Sequence, residues 1–186
     1  MTMNTVQEPR FEVRVSARID APAGEIYTLI ADYRNGHPRI LPKQFSGLVV
    51  EAGGIGAGTA IHFQMKVLGR RETYRALVAE PEPGRVLTER YQGENAPVTS
   101  FTVDPASDGR SADVTISTEL PVRSGSLGRI ESFLTTRLLR PIYVRELELL
   151  AAWARDRRLK LHPPEPAAPV HPVSDEPHQK RVGDRI

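Results

Sequence analysis

Between residues 45 and 120 the chain is cut into six short segments of strand character by turn signals, with no helical period among them. The segments run roughly 46–52, 59–68, 71–79, 85–92, 98–104 and 112–120. They are separated by GGIGAG, Leu68-Gly69-Arg70, EPEPG, QGENAP and PASDG, each of which supplies the Gly, Pro or Asn that a tight turn needs. Parallel strands require crossover helices alternating with them, and none intervenes here. An antiparallel meander is the remaining solution.

The flanks of this meander complete the architecture. From Phe11 to Asp20 the sequence FEVRVSARID alternates with period two and places Phe11, Val13, Val15, Ala17 and Ile19 on one face of a seventh strand. Pro22 then suits the first turn of a short amphipathic helix with Ile26, Leu29, Ile30 and Tyr33 on one side, ended by Asn35-Gly36. The HPRILP segment, bounded by Pro38 and Pro42, allows at most a turn or bent loop. After Ser124 helical spacing returns, with one stripe through Leu127, Ile130, Leu134 and Leu138 and another through Tyr143, Leu147, Leu150 and Ala154. Pro141 lies between the two and predicts a kink or restart. A twisted antiparallel sheet with one apolar face must cover that face, and this terminal helix alone is long enough. The predicted fold class is α+β: a curved seven-stranded antiparallel sheet wrapped around a long C-terminal helix, with a pocket where sheet and rod fail to fill the same volume.

The expected domain spans 10–158, between a flexible N-terminus at 1–9 and a Pro-rich tail at 159–186 that predicts disorder. From residue 162 onward the tail holds six of the chain's 16 prolines and almost no large apolar side chain. His162, His171 and His178 fall there without a scaffold to fix a metal geometry. The chain has no Cys, which removes disulfides, thiolate metal sites and a Cys nucleophile. Its 25 basic and 23 acidic residues leave a net charge of only +2. That surplus lies at the C-terminal end, so no basic face suited to nucleic acid is expected. No apolar run reaches the ~20 residues of a membrane span, and the polar start MTMNTVQEPR lacks the apolar core of a secretory signal. A cytoplasmic location is expected, with no metal and no cofactor. No oligomeric state follows from these features.

The element order, together with IDAPAGEIYTLIADYRNGHPRILP, the GIGAGT turn, the VAEPEPGRVL hairpin and the RELELLAAWAR ending, resembles the START-like (SRPBCC) superfamily over residues 10–158. Within it, the chain is most similar to the polyketide cyclase/dehydratase type. The resemblance implies the helix-grip fold. It names no single chemistry, because that superfamily includes hormone receptors, lipid and quinone binders, cyclases and a chaperone activator.

GIGAGT is read as a hairpin turn, since it lacks G-x-G-x-x-G spacing and no helix follows. No nucleophile elbow, zinc-protease or Walker pattern is present. In the strand at 59–68, Ile61, Phe63, Met65 and Val67 are expected to line the concavity, with His62 facing solvent. Thr99, Phe101 and Val103, and then Val114, Ile116, Thr118 and Leu120, are expected on the same inner surface.

The strands at 71–79 and 85–92 have no purely apolar face. A turn at EPEPG makes facing residue numbers sum to about 164, which sets Arg75 opposite Glu89 and Thr73 opposite Tyr91. By analogy with related folds this set points inward; the alternative is a solvent-facing cross-strand pair. The insert brings Asp32, Tyr33, Arg34, His37 and Arg39 toward the pocket mouth. His37 is the group there suited to proton transfer near neutral pH, or else to stabilising a turn.

The expected ligand-contacting set is therefore Phe63, Met65, Arg75, Glu89, Tyr91, Phe101 and His37. Such a set suits a small hydrophobic or aromatic partner, of polyketide-like, lipid or quinone type. A cyclase or dehydratase using His37 or Glu89, and a protein-interaction module, are the alternatives.

Overall fold

A computed structural model describes residues 9–67, 69–93, 95–122 and 125–161. The chain runs β1 (Arg10–Ile19), α1 (Ala23–Ala31), a 3-10 turn (His37–Arg39), β2 (Phe45–Ala52), β3 (Ala60–Val67), β4 (Arg70–Glu82), β5 (Val86–Tyr91), β6 (Val98–Pro105), β7 (Ala112–Pro121) and α2 (Ser126–Leu161). The seven strands form one antiparallel sheet in the order β1-β7-β6-β5-β4-β3-β2. Five of its six pairings join consecutive strands, as short Gly- and Pro-bearing turns require. The exception is β1, which closes on β7 and sets Val13 beside Thr118, Val15 beside Ile116 and Ala17 beside Val114.

Because β1 and β2 occupy opposite edges, the chain between them must traverse a sheet about 29 Å wide, at roughly 4.8 Å per strand spacing. Helix α1 and the insert after it make that passage. Two backbone bonds tie the passage down: Tyr33 N–H to the Gly54 carbonyl at 2.9 Å and Gly56 N–H to the Ala31 carbonyl at 3.0 Å. Gly56 sits at φ +59°, and a Cβ there would meet the Glu80 carboxylate 2.5 Å away. That carboxylate in turn accepts from the Ala57 N–H and from the Tyr27 hydroxyl. The GIGAGT turn is thus the clasp between the α1 end of the chain and the meander.

The core lies between the inner sheet face, α1 and the C-terminal half of α2. It includes Ile26, Ile61, Leu87, Ile116 and Leu150, all at most 2% exposed. At about 1.5–3 kcal/mol for each such side chain removed from water, this interior is the main stabilising term.

Three expectations are corrected. Helix α2 runs as one helix through Pro141 to Leu161, so the restart expected there as one alternative does not occur. Its first apolar stripe does not face the sheet: Leu127, Ile130 and Leu134 are exposed, whereas Ile142, Tyr143, Leu147 and Leu150 are buried. In one unbroken helix Ile130 and Leu139, or Leu134 and Tyr143, are nine residues apart, which is two and a half turns and therefore opposite sides.

The third correction concerns register. β4 continues to Glu82, past the expected turn, and a bulge intervenes between Ala79 and Glu82. Val78 therefore faces Glu89 and Ala76 faces Tyr91, so facing numbers sum to 167. An odd sum in place of an even one turns every β4 side chain over relative to β5. The inner face of β4 carries Tyr74, Ala76 and Val78, and Arg75 points outward. Residues 1–8 and those after 161, which carry the expected flexible start and most of the expected disordered tail with its three histidines, lie outside the described residues.

Candidate functional site

Between the sheet, the His37 loop and α2 lies a cavity of about 320 Å³. Its walls are mostly apolar. Phe63 sits at their centre, with ring centroids 5.4 Å from Phe45, 5.8 Å from Tyr74 and 6.1 Å from Tyr91. Met65 and Phe101 add to the same lining. Such walls contribute contact area without directional demand.

The polar groups gather around Glu89. β5 places Glu89 on the inner face between Leu87 and Tyr91, and only 5% of it is exposed. Its Oε1 accepts from the Tyr33 hydroxyl at 2.7 Å, and its Oε2 accepts from the Tyr91 hydroxyl at 3.2 Å. Burial, reinforced by the neighbouring Glu89, holds both phenols well above their ordinary pKa. They stay protonated and act as donors. Beside them Thr99 bonds Thr118 at 2.8 Å, and Thr118 bonds the Tyr143 hydroxyl. Tyr143 is pushed up to about 12, chiefly by burial.

His37 comes from the insert, and Asp32 positions it. The Asp32 carbonyl accepts from the backbone N–H groups of Gly36 and His37, and its carboxylate accepts from those of Arg34 and Asn35. The imidazole stacks on Tyr33 at 4.5 Å and meets Phe101 edge-on at 5.4 Å. Because the Ile30 carbonyl can only accept, Nδ1, 2.8 Å away, carries the proton in that bond. Nε2 is left toward the cavity, 3.9 Å from Glu89 Oε1 and beyond hydrogen-bond range. His37 is both turn anchor and cavity wall, and it lies buried rather than at a mouth.

From the opposite side α2 contributes Glu146, only 3% exposed, whose Oε1 has no hydrogen-bond partner among the described residues. Burial first, and the charge of Glu89 second, push this carboxyl well above the usual carboxylate range. A neutral carboxylic acid on α2 therefore shares the cavity with Glu89, whose two oxygens already accept from two phenolic hydroxyls. A buried carboxyl oxygen with no hydrogen-bond partner in an apolar cavity is costly unless something fills its valence.

The structure thus brings together Phe63, Met65, Glu89, Tyr91, Phe101 and His37 on one cavity. It excludes Arg75, which lies on the outer face opposite His62 and pairs there with Glu51 at 3.4 Å. Asp32, Arg34 and Arg39 serve the loop: Arg34 reaches the Gly53 carbonyl and Arg39 the Asn35 carbonyl. Glu146 was not anticipated. Its signal was present, since a carboxylate three residues after Tyr143 and four before Leu150 sits on an apolar helical stripe.

With that geometry in place, comparison with known proteins is informative. Residues 10–155 match the family described as "Polyketide cyclase / dehydrase and lipid transport". Among solved structures, the KanY protein (ms6282) is 26% identical with a TM-score of 0.68, over 79% of this chain and 99% of that one. The Zhui aromatase/cyclase from Streptomyces sp. R1128 is 13% identical with a TM-score of 0.65, over 81% and 96%. A START superfamily protein from Mycobacterium smegmatis is 14% identical with a TM-score of 0.62, over 78% and 98%. No curated protein matches.

Proposed function

The chain belongs to the polyketide cyclase/dehydrase and lipid-transport family of the START-like superfamily, and on that premise we propose that it binds one compact, largely apolar ring compound bearing hydroxyl or carbonyl oxygens. The carrying observation is the unpartnered Oε1 of Glu146 beside an aromatic-walled cavity. The neutral acid donates to a ligand carbonyl, while His37 Nε2 accepts from a ligand hydroxyl. The volume of about 320 Å³ lies at the small end of the roughly 300–1,000 Å³ typical of ligand pockets. It suits a quinone- or polyketide-like ring system better than a two-chain lipid.

Native mass spectrometry of protein purified from its own host tests this directly. A retained mass adduct of small-molecule size, lost in Phe63→Trp protein whose cavity is filled, is expected. Protein that carries no adduct and fails to take up 1-naphthol in a titration refutes the reading.

The presence of Glu146 and Glu89 on one cavity also favours a second reading, turnover of the bound compound as a cyclase or dehydratase. In a dehydration, the Glu89–His37 side takes the proton from carbon α to a carbonyl. Glu146 then gives its proton to the departing hydroxyl, which leaves as water. A β-hydroxyketone that gains an enone absorbance with wild-type protein but not with Glu146→Gln would establish it.

A further inference from the structure

The first four turns of α2 are built inside out. Toward the sheet and cavity its first three turns present small or polar residues, with Gly128 buried and Ser132, Thr135 and Thr136 half-buried, and the fourth turn adds Leu138 and Leu139. Toward solvent it turns Leu127, Ile130, Phe133 and Leu134, which are 70%, 56%, 65% and 58% exposed. Four large apolar side chains on adjoining turns of one helix differ from the isolated exposed leucine of an ordinary surface. Contiguous patches of this kind mark docking sites.

Charge identifies the occupant. Among the described residues, α2 between Ser126 and Val144 carries Arg129, Arg137 and Arg140 against a single acid, Glu131. No carboxylate of the described residues lies within ion-pair distance of those three guanidinium groups. On a helical projection Arg129 and Arg140 fall along one flank of the apolar face, and Arg137 continues its centre line, three and four residues after Leu134 and Phe133. A second copy packed antiparallel about a two-fold axis would set this flank against its own image, cation on cation. The Pro-rich sequence after residue 161 contains no Leu, Phe, Tyr or Trp with which to cover the face. Apolar side chains bordered by unpaired arginines match an interface that is greasy within and anionic at its rim.

The same turns also touch the cavity, because Thr135, Leu138 and Leu139 line it from the opposite side of the helix. We infer that the first half of α2 is an interfacial helix that docks the protein on an anionic lipid surface. Leu127, Ile130, Phe133 and Leu134 lie in the headgroup boundary, and Arg129, Arg137 and Arg140 lie against lipid phosphates. The helix lies on the bilayer and does not cross it, since no helix among the described residues is apolar enough to span a membrane. Docking stands on this face alone. That it gives the cavity access to a lipid-dissolved guest rests on the binding function proposed above.

Vesicle flotation with the full chain is the test. Vesicles of pure phosphatidylcholine and of equimolar phosphatidylcholine and phosphatidylglycerol are compared at about 0.1 M and at about 1 M salt, where the screening length falls from roughly 10 to 3 Å. Binding is expected to the anionic vesicles alone and to be lost at the higher salt. Arg137→Gln/Arg140→Gln should lower partitioning about thirty-fold, as each neutralised arginine at an anionic surface is worth roughly five-fold. Phe133→Ser/Leu134→Ser should abolish it with no change in thermal melting or in 1-naphthol uptake, because neither residue lines the cavity. Wild-type protein that ignores anionic vesicles overturns the inference and hands the face to an acidic protein. A dimer in analytical ultracentrifugation that Phe133→Ser/Leu134→Ser dissociates overturns it in favour of a second copy. Either failure leaves the cavity reading intact, since uptake of 1-naphthol is measured separately.

Discussion

Replacing Glu146 by leucine should make the protein more stable and bind its guest less well. The side chain is 3% exposed and keeps one oxygen without a partner, so an apolar group of similar size removes an uncompensated polar burial worth about 1–3 kcal/mol. The sign and its pH dependence follow from the raised pKa. In the folded protein Glu146 holds its proton to a higher pH than in the unfolded chain, where it titrates near 4.5. Above that pH, and until the folded-state group itself ionises, the folded form binds one more proton than the unfolded form. The stability of the native protein relative to Glu146→Leu is therefore fully present below about pH 4.5 and falls as pH rises through this window. Its slope is about 1.4 kcal/mol per pH unit. For a domain of this size that is roughly 3–6 °C of Tm per unit. Urea titrations of both proteins at half-unit steps from pH 5 to 8 measure the difference. Glu146→Gln, which keeps the shape and cannot titrate, should parallel the leucine variant. Two stability curves that stay parallel across the whole range would show that Glu146 is solvated and ordinary, and with it the case for a neutral acid in the cavity fails.

Three further outcomes are expected. Tyr33→Phe removes the 2.7 Å donor to Glu89 within a buried cluster and should cost about 1–3 kcal/mol by urea denaturation; a loss below ~0.3 kcal/mol would mean that Glu89 finds another donor. Phe101→Ala, at a site only 3% exposed that touches the His37 ring, should cost about 3–5 kcal/mol and abolish 1-naphthol uptake, and unchanged uptake would show the guest lies elsewhere. Arg75→Ala should leave uptake unaltered and stability within about 1 kcal/mol, because its pairing with Glu51 is exposed to solvent. A tenfold loss of affinity in that variant would restore Arg75 to the inner face.

The strand meander, the seventh strand and the covering helix were legible because each rests on local chemistry: period two, period 3.6 and turn residues at the breaks, whereas the closing of β1 on β7 joins segments about a hundred residues apart and no local pattern encodes it. Phe63, Met65 and Phe101 were legible on the same local grounds, as parity along β3 and β6 follows from where the apolar set must go, whereas Glu89 and Tyr91 were placed inward by analogy with related folds and His37 by its position in the insert. Arg75 was misplaced because β4 offers no such set. There the register hung on a turn position, and a bulge after Ala79 moved it by an odd number of residues.

Glu146 shows the complementary case. Its place on an apolar stripe was written in the helix, but its meaning depends on Glu89 arriving from a strand 57 positions earlier, a juxtaposition no local pattern encodes. The two leucine-rich stripes of α2 likewise read as equivalent in isolation. Only an unbroken helix, seated with Tyr143 and Leu150 toward the sheet, decides that one is core and the other is left facing outward. Local sequence determines which elements form and which of their faces are apolar, since those preferences act within a few residues. The tertiary structure alone decides which apolar face is buried and which buried carboxyl is left wanting, because burial is a property of what packs against a side chain.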